Sequence, residues 1–288
     1  MNDYLLSAVL GIIEGLTEFL PVSSTAHLRL AEALFHIDLA DPYWKMYTVV
    51  IQLGAVLCLP VYFRARIVKF LAQPRGDRPL IRHPLALVLV AFVVTAVPAF
   101  LLSKLIGKHL ESLTLIGSAL LVGGVVMAVV DLVRAPWEKA GPQAPDTPIR
   151  TWDMEQTTLG QAVWVGACQI LSAVFPGTSR SMSTIAAGQI ARMSRAAALE
   201  FSFFLSIPTM FAATGYDLLK SVFGKNAAVP SIGLHGWTVL AIGFVVSFVV
   251  AYGSVAALMA WVRKRGFVPF AIYRIALGIT VLVWATKH

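Results

Sequence analysis

Charged side chains are scarce in this 288-residue sequence, where Asp, Glu, Lys and Arg make up 13% against 58% hydrophobic residues. Soluble domains carry about 25% charged residues, so the composition argues against a water-soluble protein. The mean hydropathy of +0.76 is typical of a chain built for a bilayer. Cysteine is also rare. Cys58 and Cys168 each lie in an apolar segment without metal-ligand spacing, and we interpret both as packing residues.

The N-terminus lacks the basic residues that precede the apolar run of a secretory signal peptide. Glu14 and Glu18 also interrupt that run, so we expect this segment to remain in the mature protein. The net charge of +8 does not indicate a nucleic-acid partner, because the basic residues collect in loops that would share one side of a membrane. Those loops are 64–83, 134–150, 192–195 and 263–265.

Six apolar stretches approach the length of about 20 residues that crosses a bilayer. They are Met46–Phe63, Leu85–Leu105, Leu113–Leu132, Phe201–Phe223, Trp237–Val262 and Phe267–Thr286. Two further apolar segments end in a proline and a hydroxyl cluster, which predicts re-entrant hairpins over 4–35 and 160–192. The predicted fold is an all-α polytopic membrane protein, with six transmembrane helices and two re-entrant helical hairpins in an inverted-topology repeat.

An internal repeat relates the two hairpins, because Pro176 lies 155 residues after Pro21 and the flanking residues correspond at that spacing. The same alignment pairs Ser23 with Thr178 and Ser24 with Ser179. Three spans follow each hairpin, so an odd number of crossings inverts the second copy. We divide the single membrane domain 1–288 into a first repeat 1–134, a cytoplasmic linker 135–158 without a chemical role, and a second repeat 159–288.

The first hairpin carries two acids, Glu14 and Glu18, which share one helix face because they are four residues apart. Burying both as anions is unfavourable without a cation. Carboxylates are ligands that Mg²⁺ and Ca²⁺ prefer, often together with substrate phosphate. The pair therefore predicts a divalent-cation site. In the alternative, water solvates this polar face of the hairpin and one of the two carboxyl groups is protonated.

Hydroxyl side chains follow Pro21, where the second helix of this hairpin should begin. Ser23, Ser24 and Thr25 can act as helix caps, and the same helix start can bind phosphate. His27 lies three residues after Ser24, on the same side of the helix. It can accept the serine proton or protonate a leaving oxygen. Packing in an apolar helix is its alternative role.

The second hairpin tip, Pro-Gly-Thr-Ser-Arg-Ser, combines hydroxyls with a cation. Arg180 has a planar guanidinium group whose paired N–H donors suit phosphate oxygens. Alternatively, it pairs with the acids of the first tip. Gly177 permits backbone conformations that other residues resist. The predicted substrate-binding residues of the two hairpins and the adjacent span are Ser23, Thr25, Gly177, Thr178, Ser179, Ser181, Thr184 and Gln52. Gln52 could instead bridge helices. Together, the two tips predict one pocket for a phosphate headgroup.

At these residues the chain resembles the undecaprenyl-diphosphate phosphatase family, the BacA-type bacitracin-resistance proteins. The resemblance covers nearly the whole chain and is carried by EGLTEFLPVSSTAH, VIQLG, PGTSRSMSTI, EFSFFLSIP and FVPFAIYR. It implies functional roles for Glu14, Glu18, Ser24, His27 and Arg180, with Ser179 and Ser181 beside the arginine. Two positions depart from the family pattern. Ala26 stands where Gly is usual, and Met182 stands where a small residue is usual. Both differences affect the geometry of the hairpin tips, and neither removes a chemical group.

The resemblance implies an integral enzyme of the bacterial inner membrane that removes the terminal phosphate of undecaprenyl diphosphate. This reaction recycles the lipid carrier of cell-wall synthesis and confers bacitracin resistance. The resemblance also implies Mg²⁺ or Ca²⁺ as cofactor and an active site facing the periplasm. We expect polyprenyl diphosphate and membrane lipid as partners, and no nucleic acid. A homodimer is compatible with the sequence.

Phosphoryl transfer mainly requires positioning and charge compensation. In the working hypothesis Ser24 attacks phosphorus with His27 as its base; alternatively His27 activates water. Arg180 and the second-tip hydroxyls neutralise the terminal phosphoryl group. A rival hypothesis is a polyprenyl-phosphate transporter or flippase, because inverted repeats are typical of carriers. A weaker rival is a proton-coupled channel that uses Glu14 and Glu18 as a relay.

Overall fold

A computed structural model describes residues 2–38, 41–72, 82–106, 112–223 and 232–286, without the side chains of 103–106 and 221–223. The predicted basic loop 64–83 therefore lies partly outside the described residues. Eleven α-helices and no strand make up the described part of the chain. They are α1 Asp3–Thr17, α2 Ser24–Leu34, α3 Pro42–Tyr62, α4 Arg64–Ala72, α5 Pro84–Ile106, α6 Leu113–Ala140, α7 Leu159–Val174, α8 Arg180–Ile190, α9 Arg195–Phe223, α10 Leu234–Val262 and α11 Val268–Ala285.

The six predicted membrane spans are confirmed as six helices that are long and apolar enough to cross a bilayer, namely α3, α5, α6, α9, α10 and α11. The largest error concerns α6, which continues to Ala140 and so includes the first residues of the predicted linker. Tertiary contacts explain this continuation, because Glu138 Oε1 accepts a hydrogen bond of 2.6 Å from the backbone N–H of Arg195. A polar helix end can thus persist where packing favours it.

The four hairpin helices are shorter than a membrane span. At about 1.5 Å per residue, α1 and α7 reach about 22–24 Å and α2 and α8 about 16 Å, compared with a hydrocarbon core of about 30 Å. The pairs α1–α2 and α7–α8 thus fit the predicted hairpins 4–35 and 160–192. Their re-entrant placement in the bilayer stays a prediction.

The described residues form two compact units that do not coincide with the two halves of the sequence. The first unit contains residues 1–19, 24–64 and 206–256. In it, α1 packs closely on α10, since a Cβ at Gly15 would lie 2.7 Å from the Ser247 carbonyl oxygen. A Cβ at Gly54 of α3 would likewise lie 2.6 Å from the Phe244 oxygen. Small residues thus let these backbones approach each other.

The second unit contains residues 20–23, 65–205 and 257–288. Here α11 lies against α6, because a Cβ at Gly278 would come within 2.9 Å of the Gly117 carbonyl oxygen. Similarly, α7 lies against α5, where a Cβ at Gly166 would be 2.5 Å from the Ala91 oxygen. The helices that support the second hairpin tip therefore pack with their backbones in direct contact.

A buried ion pair fixes one end of this second unit. Asp131 of α6 is fully buried, and its Oδ1 accepts a 2.6 Å bond from Arg195 Nε at the start of α9. Its Oδ2 accepts a 2.8 Å bond from the backbone N–H of Phe267, just before α11. One carboxylate therefore holds three helices together. Removing either charged partner alone would leave an uncompensated buried charge.

The linker is also anchored to helices. Arg66, on the short α4 that the sequence did not predict, donates to Asp153 at 2.6 Å and to Glu155 and Glu200 at 2.8 Å each. The linker prediction assigned no chemistry to this segment, and these contacts give it a structural role. They connect the linker to α4 and to α9 within the second unit.

The second helices of the two hairpins share a backbone pattern. Ser23 (φ 75°) precedes α2 and Ser179 (φ 68°) precedes α8, both in the left-handed region that non-glycine residues rarely adopt. His36 (φ 55°) and Arg192 (φ 67°) follow the same two helices. Equivalent residues are thus 156 apart, as 179 minus 23 and 192 minus 36 both show. The repeat is visible in the backbone itself.

This pattern corrects the alignment of the tips by one residue. The spacing of 155 pairs Ser24 with Ser179, whereas the helix starts pair Ser24 with Arg180. The cause is an extra residue in the second tip, because α2 begins three residues after Pro21 and α8 begins four residues after Pro176. The predicted nucleophile and the predicted phosphate-binding arginine therefore occupy equivalent positions in the two hairpins.

Candidate active site

Both acids of the first hairpin lie at the end of α1 and are buried. Glu14 is 0% exposed and Glu18 8% exposed. Glu18 keeps helical backbone angles, and its N–H donates to the Glu14 carbonyl at 2.9 Å. The two carboxylates therefore rise from one helix face one turn apart, as the spacing predicted.

Ser24 is the first residue of α2, and its hydroxyl contacts the acidic face of α1. Ser24 Oγ donates a hydrogen bond of 2.5 Å to Glu18 Oε2. A short O–H···O contact to a carboxylate is among the stronger hydrogen bonds in proteins. The predicted partner of this serine is His27, whereas the bond described here is made to Glu18. A carboxylate therefore orients the hydroxyl and stands ready to accept its proton.

The other predicted residues of the first unit differ in exposure. Thr25 is exposed, whereas His27 is half-buried on α2 and Gln52 is half-buried on α3. Ser23, which belongs to the second unit, is buried and holds its positive φ at the hairpin tip. Such a conformation costs a non-glycine residue on the order of 1–3 kcal/mol. The substrate-binding roles of Ser23, Thr25 and Gln52 and the catalytic role of His27 stay predictions.

In the second tip, the backbone at Gly177 requires glycine. Its φ is +89°, and a Cβ there would lie 2.6 Å from the carbonyl oxygen of Ile116 on α6. Both the left-handed conformation and the close approach exclude a side chain. The predicted conformational role of Gly177 is confirmed.

We expect Gly177→Ala to lower the free energy of unfolding by about 1–3 kcal/mol, because the substitution adds backbone strain and a steric clash. Thermal unfolding in detergent measures the effect. Gly160→Ala is the matched control, since a Cβ at this α7 position meets nothing within 4 Å. A Gly177→Ala protein as stable as the wild type would contradict the tight packing of the tip on α6.

The hydroxyls around Arg180 mostly hold the start of α8. Ser179 Oγ accepts a bond from the Met182 N–H at 3.3 Å, as a helix cap does. Thr184 Oγ1 donates to the Arg180 carbonyl at 2.9 Å and lies 2.6 Å from Ser202 Oγ. These bonds fix the first turn of α8, from which the partly exposed Arg180 projects.

The remaining tip residues differ in burial. Ser181 is 1% exposed, and Thr178 is partly exposed. The predicted substrate-binding roles of Thr178, Ser179, Ser181 and Thr184 stay predictions. For Ser179 and Thr184, the observed bonds give a structural role beside the predicted one.

Arg274 of α11 is a site residue that the sequence motifs did not identify. Its side chain is 0% exposed. Its guanidinium donates to four backbone carbonyls at 3.0–3.3 Å, those of Pro21, Ala119, Gly177 and Thr178. Pro21 lies in the first tip, and Gly177 and Thr178 lie in the second. One buried arginine thus holds backbone from both hairpin tips within the second unit.

One sequence signal pointed to Arg274. It lies well inside α11 with apolar neighbours, too far from either helix end for easy escape to water, and ionisable residues at such depth are functional by default. In the structure, Gly123 of α6 faces this side chain, since a Cβ there would come within 2.5 Å of Arg274 Nη2. A small residue packed against a large polar side chain indicates a close and specific contact.

The acids of α1 are the candidate metal ligands. In the part of the chain that the structure describes, no group of three or more His, Cys, Asp or Glu residues could hold a metal ion. Two buried carboxylates on one face nevertheless fit a hard divalent cation that takes its other ligands from phosphate oxygens and water. Glu14 and Glu18 therefore suit a cation that binds together with its substrate.

Comparison with known proteins places these features in one family. Residues 7–280 match the family described as bacitracin resistance protein BacA. An undecaprenyl-diphosphatase of Koribacter versatilis (strain Ellin345) is 61% identical over 100% of both chains. An undecaprenyl-diphosphatase of Rhizobium etli (strain CIAT 652) is 42% identical over 99% of this chain and 98% of its own. One of Thermus thermophilus is 40% identical over 94% of this chain and 93% of its own. The chain belongs to the BacA family of bacitracin resistance proteins.

Proposed function

We propose that this chain is an undecaprenyl-diphosphatase, which hydrolyses undecaprenyl diphosphate to undecaprenyl phosphate and inorganic phosphate. Relatives of this name match the chain over its full length. The observation that carries the proposal is the 2.5 Å hydrogen bond from Ser24 Oγ to the buried carboxylate of Glu18. A hydroxyl oriented by a carboxylate in a membrane protein is suited to attack a lipid-linked phosphate.

In the proposed first step, Ser24 Oγ attacks the terminal phosphorus while its proton passes to Glu18. An Oγ–P bond forms, and the bond from phosphorus to the bridging oxygen breaks. The electron pair of that bond leaves with undecaprenyl phosphate. In the second step a water molecule attacks the phosphoserine and loses its proton to His27, which lies one helical turn from Ser24. The Oγ–P bond breaks, inorganic phosphate is released, and Glu18 returns its proton to Ser24 Oγ.

Glu14 and Glu18 would hold the divalent cation, Mg²⁺ or Ca²⁺. When bound, the cation supplies positive charge to the oxygens of the diphosphate. Glu18 has two carboxylate oxygens, and only Oε2 is the acceptor of the Ser24 bond. One residue can therefore serve the cation and the nucleophile together.

Arg180 and the second tip are proposed to bind a phosphoryl group of the substrate. We expect purified protein in detergent to release phosphate from undecaprenyl diphosphate, and Arg180→Ala to lower kcat/KM by about 10²-fold through loss of a charged donor. The exposed Arg265, at the end of α10, provides the control Arg265→Ala. Normal hydrolysis by Arg180→Ala would refute the phosphate-binding role, and absence of hydrolysis by the wild type would refute the enzyme.

The chain is a multi-pass membrane protein with six helices fit to cross a bilayer. We place it in the bacterial inner membrane with the active site facing the periplasm, supported by the basic loops on the opposite side. The transport alternative finds no support in the names of the relatives. Hydrolysis in detergent separates the two hypotheses, because a carrier needs two sides of a membrane and an enzyme does not.

A further inference from the structure

An open groove of about 410 Å³ runs along the second unit between α6, α7 and α8. One end reaches Thr178 in the second tip, and the other reaches Val126 of α6 and Ile190 of α8. The volume lies within the range of about 300–1,000 Å³ that is typical of ligand sites. We call it the tail groove.

The walls of the tail groove are almost entirely apolar and face outward. Val122 of α6 is 61% exposed, Leu171 of α7 is 49% exposed and Ile190 is 47% exposed. Val122 lies on α6, which is long enough to cross a bilayer, so its exposed apolar side chain faces lipid there. A lipid chain can therefore enter the groove sideways from the membrane.

We propose that the tail groove binds the polyprenyl chain of the substrate, along the isoprene units nearest the diphosphate. This inference rests on the proposed function, and it identifies where the lipid chain of that substrate binds. The groove begins at Thr178, whose carbonyl is held by Arg274 and whose neighbour in the chain is Gly177. A headgroup at the tip thus has a continuous apolar path for its chain.

The dimensions of the tail groove agree with partial binding of a long chain. Its wall on α6 extends from Leu115 to Val126, about 16 Å at 1.5 Å per residue. This is shorter than an extended undecaprenyl chain, so the distal units remain in the bilayer. Because bilayer lipid is as apolar as the groove, the gain in affinity comes from shape and packing rather than from leaving water. The groove therefore adds the same affinity to the bound substrate and to its transition state.

Cys168 provides a direct test of occupancy. It lies in the groove wall and is partly exposed, whereas Cys58 of the first unit is fully buried and serves as an internal control. In detergent, undecaprenyl phosphate should slow alkylation of Cys168 by an apolar maleimide at least several-fold. Inorganic phosphate and dioleoyl phosphatidate should leave the rate unchanged.

Each result of this labelling experiment decides the proposal. Protection by undecaprenyl phosphate alone supports it. No protection, or equal protection by phosphatidate, overturns it, because the groove would then be empty or would accept any bilayer lipid. Protection by inorganic phosphate also overturns it, since the effect would come from the headgroup. The experiment needs no turnover, so its outcome is separate from the test of phosphate release.

A pair of neighbouring substitutions tests the same groove by kinetics. Val126→Trp fills the far end of the tail groove, while Val125→Trp places the same side chain at an exposed α6 position outside it. We expect Val126→Trp to raise KM for undecaprenyl diphosphate about tenfold, with kcat within about twofold of the wild type. Val125→Trp should match the wild type. An unchanged KM in Val126→Trp, or equal changes in both variants, would overturn the proposal.

Discussion

Ser24→Ala is expected to lower kcat for phosphate release by about 10³-fold or more, because it removes the attacking oxygen of the proposed covalent mechanism. Ser24 Oγ contacts Glu18 directly. Glu18→Gln should cause a loss of similar size, since the amide oxygen is a far weaker proton acceptor than the carboxylate. Non-additive losses in the double variant would show that the two residues act as a unit.

The decisive measurement is a rapid acid quench of the wild type during turnover. Mass spectrometry should then find phosphate on the peptide that contains Ser24. Thr17→Ala is the matched control, since the Thr17 hydroxyl bonds only to the Ile13 carbonyl of its own helix in the described contacts. Full turnover by Ser24→Ala would eliminate the phosphoserine and leave direct attack by water that His27 activates.

Arg274→Leu is expected to lower the free energy of unfolding by about 3–5 kcal/mol, because several buried carbonyls lose their donor together. We also expect kcat to fall by about 10²-fold, since displacements of about 1 Å at a catalytic tip have effects of that size. Arg274→Lys should restore only part of either loss. A single ammonium group cannot reproduce the planar fork that reaches four carbonyls.

A second buried arginine separates positioning from general stability. Arg195 is paired with Asp131, twelve residues along α6 from Ala119, or about 18 Å away along the helix. Arg195→Met should lower the unfolding temperature substantially, while kcat measured well below that temperature stays close to wild type. If Arg195→Met and Arg274→Leu lose activity in equal proportion to stability, Arg274 has no special role in positioning the tips.

The membrane fold was predictable because long apolar runs leave few alternatives in a bilayer. All six spans were found, and the helix ends were the uncertain part. The extension of α6 to Ala140 depends on the contact of Glu138 with Arg195, which is distant in sequence and gives no local signal. The division into two compact units was also beyond sequence reasoning, since each unit combines residues from both halves of the chain.

The parts of the site that depend on the spacing of residues within one helix or turn were predictable from the sequence. Glu14 and Glu18 share a face because a helix places residues four apart together, and Gly177 is required where the sequence suggested. The bond between Ser24 and Glu18 was not predicted, because the turn between α1 and α2 decides which side chains meet.

Two further features of the site could be found only from the structure. The tip alignment was one residue off, since an insertion in a short turn leaves the motif similarity almost unchanged. Cys168, interpreted as a packing residue, is partly exposed in the groove wall, whereas Cys58 is buried as predicted. Exposure to lipid and burial in protein select the same apolar residue types, so composition does not distinguish them.

Every hydrogen bond described for the Arg274 guanidinium ends on a backbone carbonyl, none on a carboxylate. Dipoles solvate the cation but do not cancel its net unit charge. Arginine stays protonated at any physiological pH. The Arg274 guanidinium is therefore a permanent positive charge next to the backbone of the second tip. We expect this charge to favour the more highly charged diphosphate over the monophosphate ester, and so to help product leave after each turnover.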